Sequence, residues 1–154
     1  MNDAASSADL LARLHEEVRR AGKTVYEVGE VTPLEQLGTG KGTLYLKRED
    51  LSPMHAYKWR GAYHRMSQLE PGRTRGVVAA SAGNHAQGVA IAAARLGGGF
   101  KTRIFMPLNT PLMKQRAVKR LGGEAVSIEL VGDRYDEAVE AARRCDFAWS
   151  DHRG

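Results

Sequence analysis

The stretch Gly76-Val77-Val78-Ala79-Ala80-Ser81-Ala82-Gly83-Asn84-His85-Ala86-Gln87-Gly88-Val89-Ala90 decides how this chain folds. Its first five residues are apolar, a run short enough for one buried strand. The chain then turns through Ser81 to His85 and continues as a strong helix former, apart from Gly88, to Leu96. A strand that turns sharply into a helix points unpaired backbone N–H groups at the turn. With the positive end of the helix dipole, they attract an anion. Gly83 has no Cβ, so a ligand can approach its backbone. Ser81, Asn84, His85 and Gln87 add hydrogen-bonding side chains. Taken alone, the stretch favours the reading of an ordinary strand-turn-helix in which Ser81 and Asn84 merely cap.

Working outward, strands and helices alternate. Upstream, Asp9 to Arg20 reads as an amphipathic helix with Leu10, Leu11, Leu14 and Val18 on one face, ended by Gly22. Val25 to Leu37 reads as irregular, broken by Pro33. Gly38 to Thr43 is glycine-rich but fails as a phosphate loop: Glu35 stands where the first glycine belongs, and Gly42 where Ser or Thr is needed. Thr43 to Arg48 reads as a strand and Tyr57 to Leu69 as a helix, stopped by Pro71-Gly72. Downstream, Gly97-Gly98-Gly99 ends the central helix and Thr102 to Met106 is the next strand. Thr110 is expected to cap a helix with Pro111 at its first position and Met113, Ala117, Val118 and Leu121 on its apolar face. Gly122-Gly123 closes that helix, and Val126, Ile128 and Leu130 alternate along a strand. Asp133 is expected to cap a last helix, which runs to about Arg143 with Asp136 and Glu137 in its first turn. The pattern predicts an α/β fold, a parallel sheet with helices on both faces.

The chain has 154 residues, the length of one domain, with 42% hydrophobic and 27% charged residues. Its net charge of +5 suits an anionic ligand. The basic residues are scattered, without the runs or interleaved aromatics of a nucleic-acid surface, so no nucleic-acid partner is expected. Cys145 is the only cysteine, which excludes a disulfide framework and zinc spacing. No signal peptide and no bilayer-spanning run is visible, so no membrane partner is expected and the cytoplasm is the expected compartment.

A second stretch gives the first its chemistry: Lys47-Arg48-Glu49-Asp50-Leu51-Ser52-Pro53-Met54-His55-Ala56-Tyr57-Lys58-Trp59-Arg60-Gly61-Ala62-Tyr63. Together the two resemble the fold-type II (tryptophan synthase β-like) pyridoxal-phosphate enzymes, the threonine ammonia-lyases (threonine dehydratases) above all. That family's pattern reads K-R-E-D, a spacer, S-F-K-x-R-G-A, then S-A-G-N-H-A-Q-G-V-A. The resemblance extends from about Val25 to about Ala142. It implies pyridoxal 5′-phosphate as cofactor and a small amino acid as substrate. The implied reaction is β-elimination of threonine, or of serine, to a 2-oxo acid and ammonia. On the same ground Lys58 is the catalytic residue that holds the cofactor's aldehyde, with Tyr57 beside it and Asn84 on the cofactor ring. Ser81, Ala82, Gly83, Asn84 and His85 are implied to grip the substrate carboxylate.

Two departures bear on activity. Ala56 replaces the family's serine, and Ala82 stands where serine racemases carry a second serine, which argues against racemisation. The family's glycine-rich phosphate loop and its partner for the pyridine nitrogen have no counterpart here. The resemblance therefore implies three parts. Residues 1–55 would lead a larger domain, residues 56–144 would form a small α/β domain with the lysine and the asparagine loop, and residues 145–154 an irregular tail arising from a lost reading frame. The expectation is a truncated homologue, weak or inactive alone, that exposes apolar surface and associates or forms homo-oligomers through it. Two other readings stay open: a non-catalytic binding or assembly module, and a serine dehydratase or racemase-like enzyme.

Overall fold

The structure, a computed structural model, describes residues 6–40, 42–97 and 99–146. The chain forms two compact units, Met1–Val31 and Thr32–Gly154. In the first, helix α1 (Ser7–Val25) starts at Ser6. The Ser6 hydroxyl accepts from the Asp9 N–H at 3.1 Å, and the Asp9 carboxylate accepts from the Ser6 N–H at 3.2 Å. This reciprocal box fixes the helix start. Gly22 does not end the helix. The helix runs on to Val25, with Lys23 near its negative end, and the Tyr26 N–H closes on the Gly22 carbonyl at 3.0 Å. An interior glycine costs only about 1 kcal/mol. Leu10, Leu11, Leu14 and Val18 are all more than half exposed.

The second unit opens with an antiparallel hairpin of β1 (Leu34–Thr39) and β2 (Gly42–Lys47), in register from Leu34↔Lys47 to Thr39↔Gly42. The expectation of irregular chain up to Leu37 is corrected here. Pro33 sits just before the strand, where its missing N–H breaks no ladder bond. Leu34 and Leu37 do not alternate with period 2, so the strand left no pattern to read. Every residue of β2 is exposed, including Leu44, Tyr45 and Leu46.

After the hairpin come a 3₁₀ turn (Glu49–Leu51) and α2 (Trp59–Ser67), then β3 (Gly76–Ala80), α3 (Asn84–Arg95), β4 (Lys101–Met106), α4 (Leu112–Gly122), β5 (Val126–Leu130) and α5 (Tyr135–Arg143). The sheet runs β3-β4-β5, all parallel, with Ala80↔Phe105 and Ile104↔Ile128 in register. Both β-α-β connections step the same way, so α3 and α4 share one face, and α5 crosses the other over β3 and β4. The expected α/β architecture is present. Ile104, Met106 and Val118 are fully buried, each contributing about 1.5–3 kcal/mol. Small residues such as Ala86, Ala90 and Ala93 bring α3 close to its neighbours.

Several helix ends differ from expectation. Thr110 does not cap α4 with its side chain. The helix starts at Leu112 after Pro111, and the buried Thr110 Oγ1 has no hydrogen-bond partner among the described residues. Met113 belongs to the outer face and is 79% exposed, while Val118 carries the buried face. Asp133 does not cap α5. Instead Glu137 reaches back to accept from the N–H groups of Asp133 (2.7 Å) and Arg134 (3.0 Å), and an acceptor at the third helical position serves as well as a cap. No helix among the described residues is long and apolar enough to cross a membrane. Of the tail expected at 145–154, Phe147 onward lies outside the described residues.

Candidate active site

The turn after β3 is built by Ser81. Its N–H extends the sheet to the Phe105 carbonyl at 3.0 Å, and its hydroxyl accepts from the N–H groups of Gly83 and Ala86, both at 3.3 Å. Tyr135 of α5 donates its hydroxyl to the Ala80 carbonyl at 3.2 Å and pins the strand end. Among the described residues, the N–H groups of Ala82, Asn84 and His85 find no protein acceptor. Asn84 and His85 are exposed, while Ser81, Ala82 and Gly83 are half-buried. This is the anion-seeking helix start that the strand-to-helix pattern leads one to expect.

Lys58 stands at the N-terminus of α2, where a braced loop delivers it. The buried Ser52 hydroxyl donates to the Ala56 carbonyl (2.8 Å) and accepts from the Ala56 N–H (3.0 Å). His55 takes a positive φ of 54° within this loop, a conformation rare outside glycine and found where the surroundings enforce it. Trp59 is fully buried, flanked by the guanidinium groups of Arg60 at 5.0 Å and Arg95 at 5.1 Å from its ring centre. Cations over an indole face attract its negative quadrupole.

A cleft of about 480 Å³ opens between α2, β3 and α3. Tyr57, Lys58, Arg60 and Arg65 line it from the α2 side, Val77, Val78 and Ala79 from the strand, and His85 and Val89 from α3. Lys58, Tyr57 and His85 thus share one cavity. Ser81, Ala82, Gly83 and Asn84 form the adjacent turn and do not line it. No lining residue carries a carboxylate, so the cleft is cationic on an apolar floor.

Two features of this site were not singled out from sequence. Glu49 forms an ion pair with Arg60 and accepts from the buried Thr32 hydroxyl at 2.7 Å. Burial pushes the Glu49 carboxyl up, but the hydrogen bonds from Thr32 and Arg60 and the charges of Arg60 and Lys47 outweigh it and hold it below the usual carboxylate range. Its neighbour Arg48 bridges Asp50 (2.7 Å) and Glu35 (2.6 Å), which raises the guanidinium and lowers the Asp50 carboxyl. The other feature is Gly88, where a Cβ would meet the backbone of Lys58 and Trp59 at 3.1 Å. A glycine inside a strong helix former was its only sequence signal.

Comparison with known proteins gives this geometry its context. A family profile described as "Pyridoxal-phosphate dependent enzyme" matches residues 25–148. The chain is 45% identical over 128 residues to the biosynthetic L-threonine dehydratase IlvA of Haemophilus influenzae, a match covering 80% of this chain and 24% of that protein. The processed form of threonine deaminase isoform 2 from Solanum lycopersicum superposes with a TM-score of 0.72 at 36% identity, over 93% of this chain and 41% of that one. Maize serine racemase superposes with a TM-score of 0.74 at 28% identity, over 84% of this chain and 39% of that one. The chain thus spans less than half the length of each.

Proposed function

The chain belongs to the pyridoxal-phosphate dependent enzyme family, and from that premise we propose that it carries the lysine-bearing half of a site that converts threonine to 2-oxobutanoate and ammonia. The observation that carries the proposal is the cationic cleft shared by Lys58 and His85, beside a turn whose N–H groups at Ala82, Asn84 and His85 have no acceptor among the described residues. The threonine dehydratases among its relatives support the choice of substrate.

The residues fit the cofactor. Lys58 offers the amine, Val77, Val78 and Val89 offer an apolar wall for a ring, and Tyr57 stands at the rim. Asn84 offers a side-chain amide to a ring oxygen. When bound, pyridoxal phosphate supplies an electron sink for the charge that develops at the substrate α-carbon. Lys58 holds it through Nζ. The same Nζ, as a free amine, would accept the α-proton and pass it on. The Ser81–His85 turn, through Ser81, Ala82, Gly83, Asn84 and His85, orients the substrate carboxylate with its N–H groups. Residues 1–55 belong in this reading to a larger domain and 56–144 to the small domain that holds the lysine.

A second reading, a binding or assembly module, is favoured by the exposed apolar side chains of α1 and β2. A titration with pyridoxal phosphate separates the two. A new saturable absorption band that disappears in Lys58→Ala supports the enzyme site, and its absence from the unaltered chain leaves the module.

A further inference from the structure

We propose that Glu49 is a positioning residue for Lys58: the Thr32–Glu49–Arg60 cluster clasps the loop that delivers the lysine to the cleft. The inference rests on the reading of Lys58 as the cofactor lysine.

Lys58 sits at a junction with no side-chain cap of its own. Residues 50–58 leave the hairpin through a 3₁₀ turn and return at α2. Glu49 and Arg60 stand on either side of that loop, and their ion pair joins its two ends. The pair is half-buried, with side chains 23% and 17% exposed, so water screens it less than the surface pairs of this chain. Thr32, itself buried, donates to the second carboxylate oxygen, and Lys47 donates to the Thr32 carbonyl. The carboxylate is therefore held from two directions. Arg60 is one helical step past Trp59 and two past Lys58, on a helix start that also abuts Gly88. Fixing the Arg60 guanidinium fixes the end of the loop, and the Ser52–Ala56 bonds brace its middle. Glu49→Gln removes the charge that draws the Arg60 guanidinium across the loop and leaves only a neutral acceptor, so the two ends of the loop are held together less firmly.

Arg48 supplies the control. Its pairs with Asp50 and Glu35 are as close but stay within the hairpin and the 3₁₀ turn, and do not reach α2. The test compares the full chain with Glu49→Gln, Thr32→Val and Arg48→Gln. Each is incubated with pyridoxal phosphate, reduced with borohydride, and mapped for the ratio of label at Lys58 to label at surface lysines. Thermal unfolding is followed in parallel, and labelling is done well below each midpoint. Glu49→Gln is expected to lower that ratio and the apparent affinity at Lys58 about tenfold, since small misplacements of a reacting group carry large penalties. Thr32→Val is expected to fall between it and the unaltered chain, and Arg48→Gln to match the unaltered chain. Equal labelling of Lys58 in Glu49→Gln and the unaltered chain overturns the positioning role alone. An equal loss in Arg48→Gln also overturns it, by reducing the effect to general stability. No selective label in the unaltered chain overturns the cofactor-lysine reading, and this inference with it.

Discussion

A Cβ placed on Gly88 would stand 3.1 Å from the carbonyl oxygen of Lys58, tighter than ordinary van der Waals contact and against backbone rather than a yielding side chain. Helices α2 and α3 therefore touch backbone to backbone at the residue that opens the cleft. Gly88→Ala gains about 1 kcal/mol of helix propensity but overpacks this contact by about 1–3 kcal/mol. The expected result is a net loss of about 1 kcal/mol in chemical denaturation, with weaker pyridoxal-phosphate binding. A more stable variant would show that the contact yields freely.

Gly61 makes the opposite case. It lies inside α2, and a Cβ there meets nothing within 4 Å. Gly61→Ala is expected to stabilise the chain by about 0.5–1 kcal/mol. Because Gly61 lines the cleft, the added methyl should weaken ligand binding even as the melting temperature rises.

Much of this was legible from the residues. The strand, turn and helix from Gly76 to Arg95 fell where the sequence put them, because an apolar run, a cluster of turn formers and a run of alanines each allow one local structure. Strand β1 was not legible, because its stability comes from pairing with β2 rather than from its own pattern. In the site, the family resemblance pointed to Lys58, the strand-to-helix pattern pointed to the Ser81–His85 turn, and the fold brings Lys58 and His85 to one cleft. The Glu49–Arg60 clasp was hidden because its two residues lie on different elements, brought together by the course of the loop between them rather than by the periodicity of any one element.

Glu49 also gives the stability a pH dependence. Its carboxyl lies below the usual range in the folded chain, so its contribution is fully present above that range. It is lost as the pH falls through the folded value, because the folded state must then take up a proton against Arg60 and Lys47. Denaturation profiles of the unaltered chain and Glu49→Gln are expected to differ at neutral pH and to converge on the acid side. A constant offset at all pH values would contradict this.

The exposed apolar residues of α1 and of β2 predict association. Light scattering should report species larger than a monomer, and Leu14→Gln with Leu44→Gln should reduce them and the binding of a hydrophobic dye. A monomer that binds no dye would contradict the expectation.

Catalysis by this chain alone is expected to be slow. Positioning and preorganised charge supply on the order of 10 kcal/mol of barrier lowering, and the cleft that α2, β3 and α3 line stays partly open to solvent. Release of 2-oxobutanoate from threonine should stay below about 1 s⁻¹, the low end of ordinary turnover. Ordinary turnover would mean that the described cleft suffices.

The central claim is that Lys58 is the cofactor lysine. Its most direct measurement is borohydride reduction of the unaltered chain with stoichiometric pyridoxal phosphate, followed by peptide mapping. Label concentrated on the peptide bearing Lys58, and absent after prior substitution Lys58→Ala, is the predicted result. Label spread evenly over the exposed lysines would contradict it.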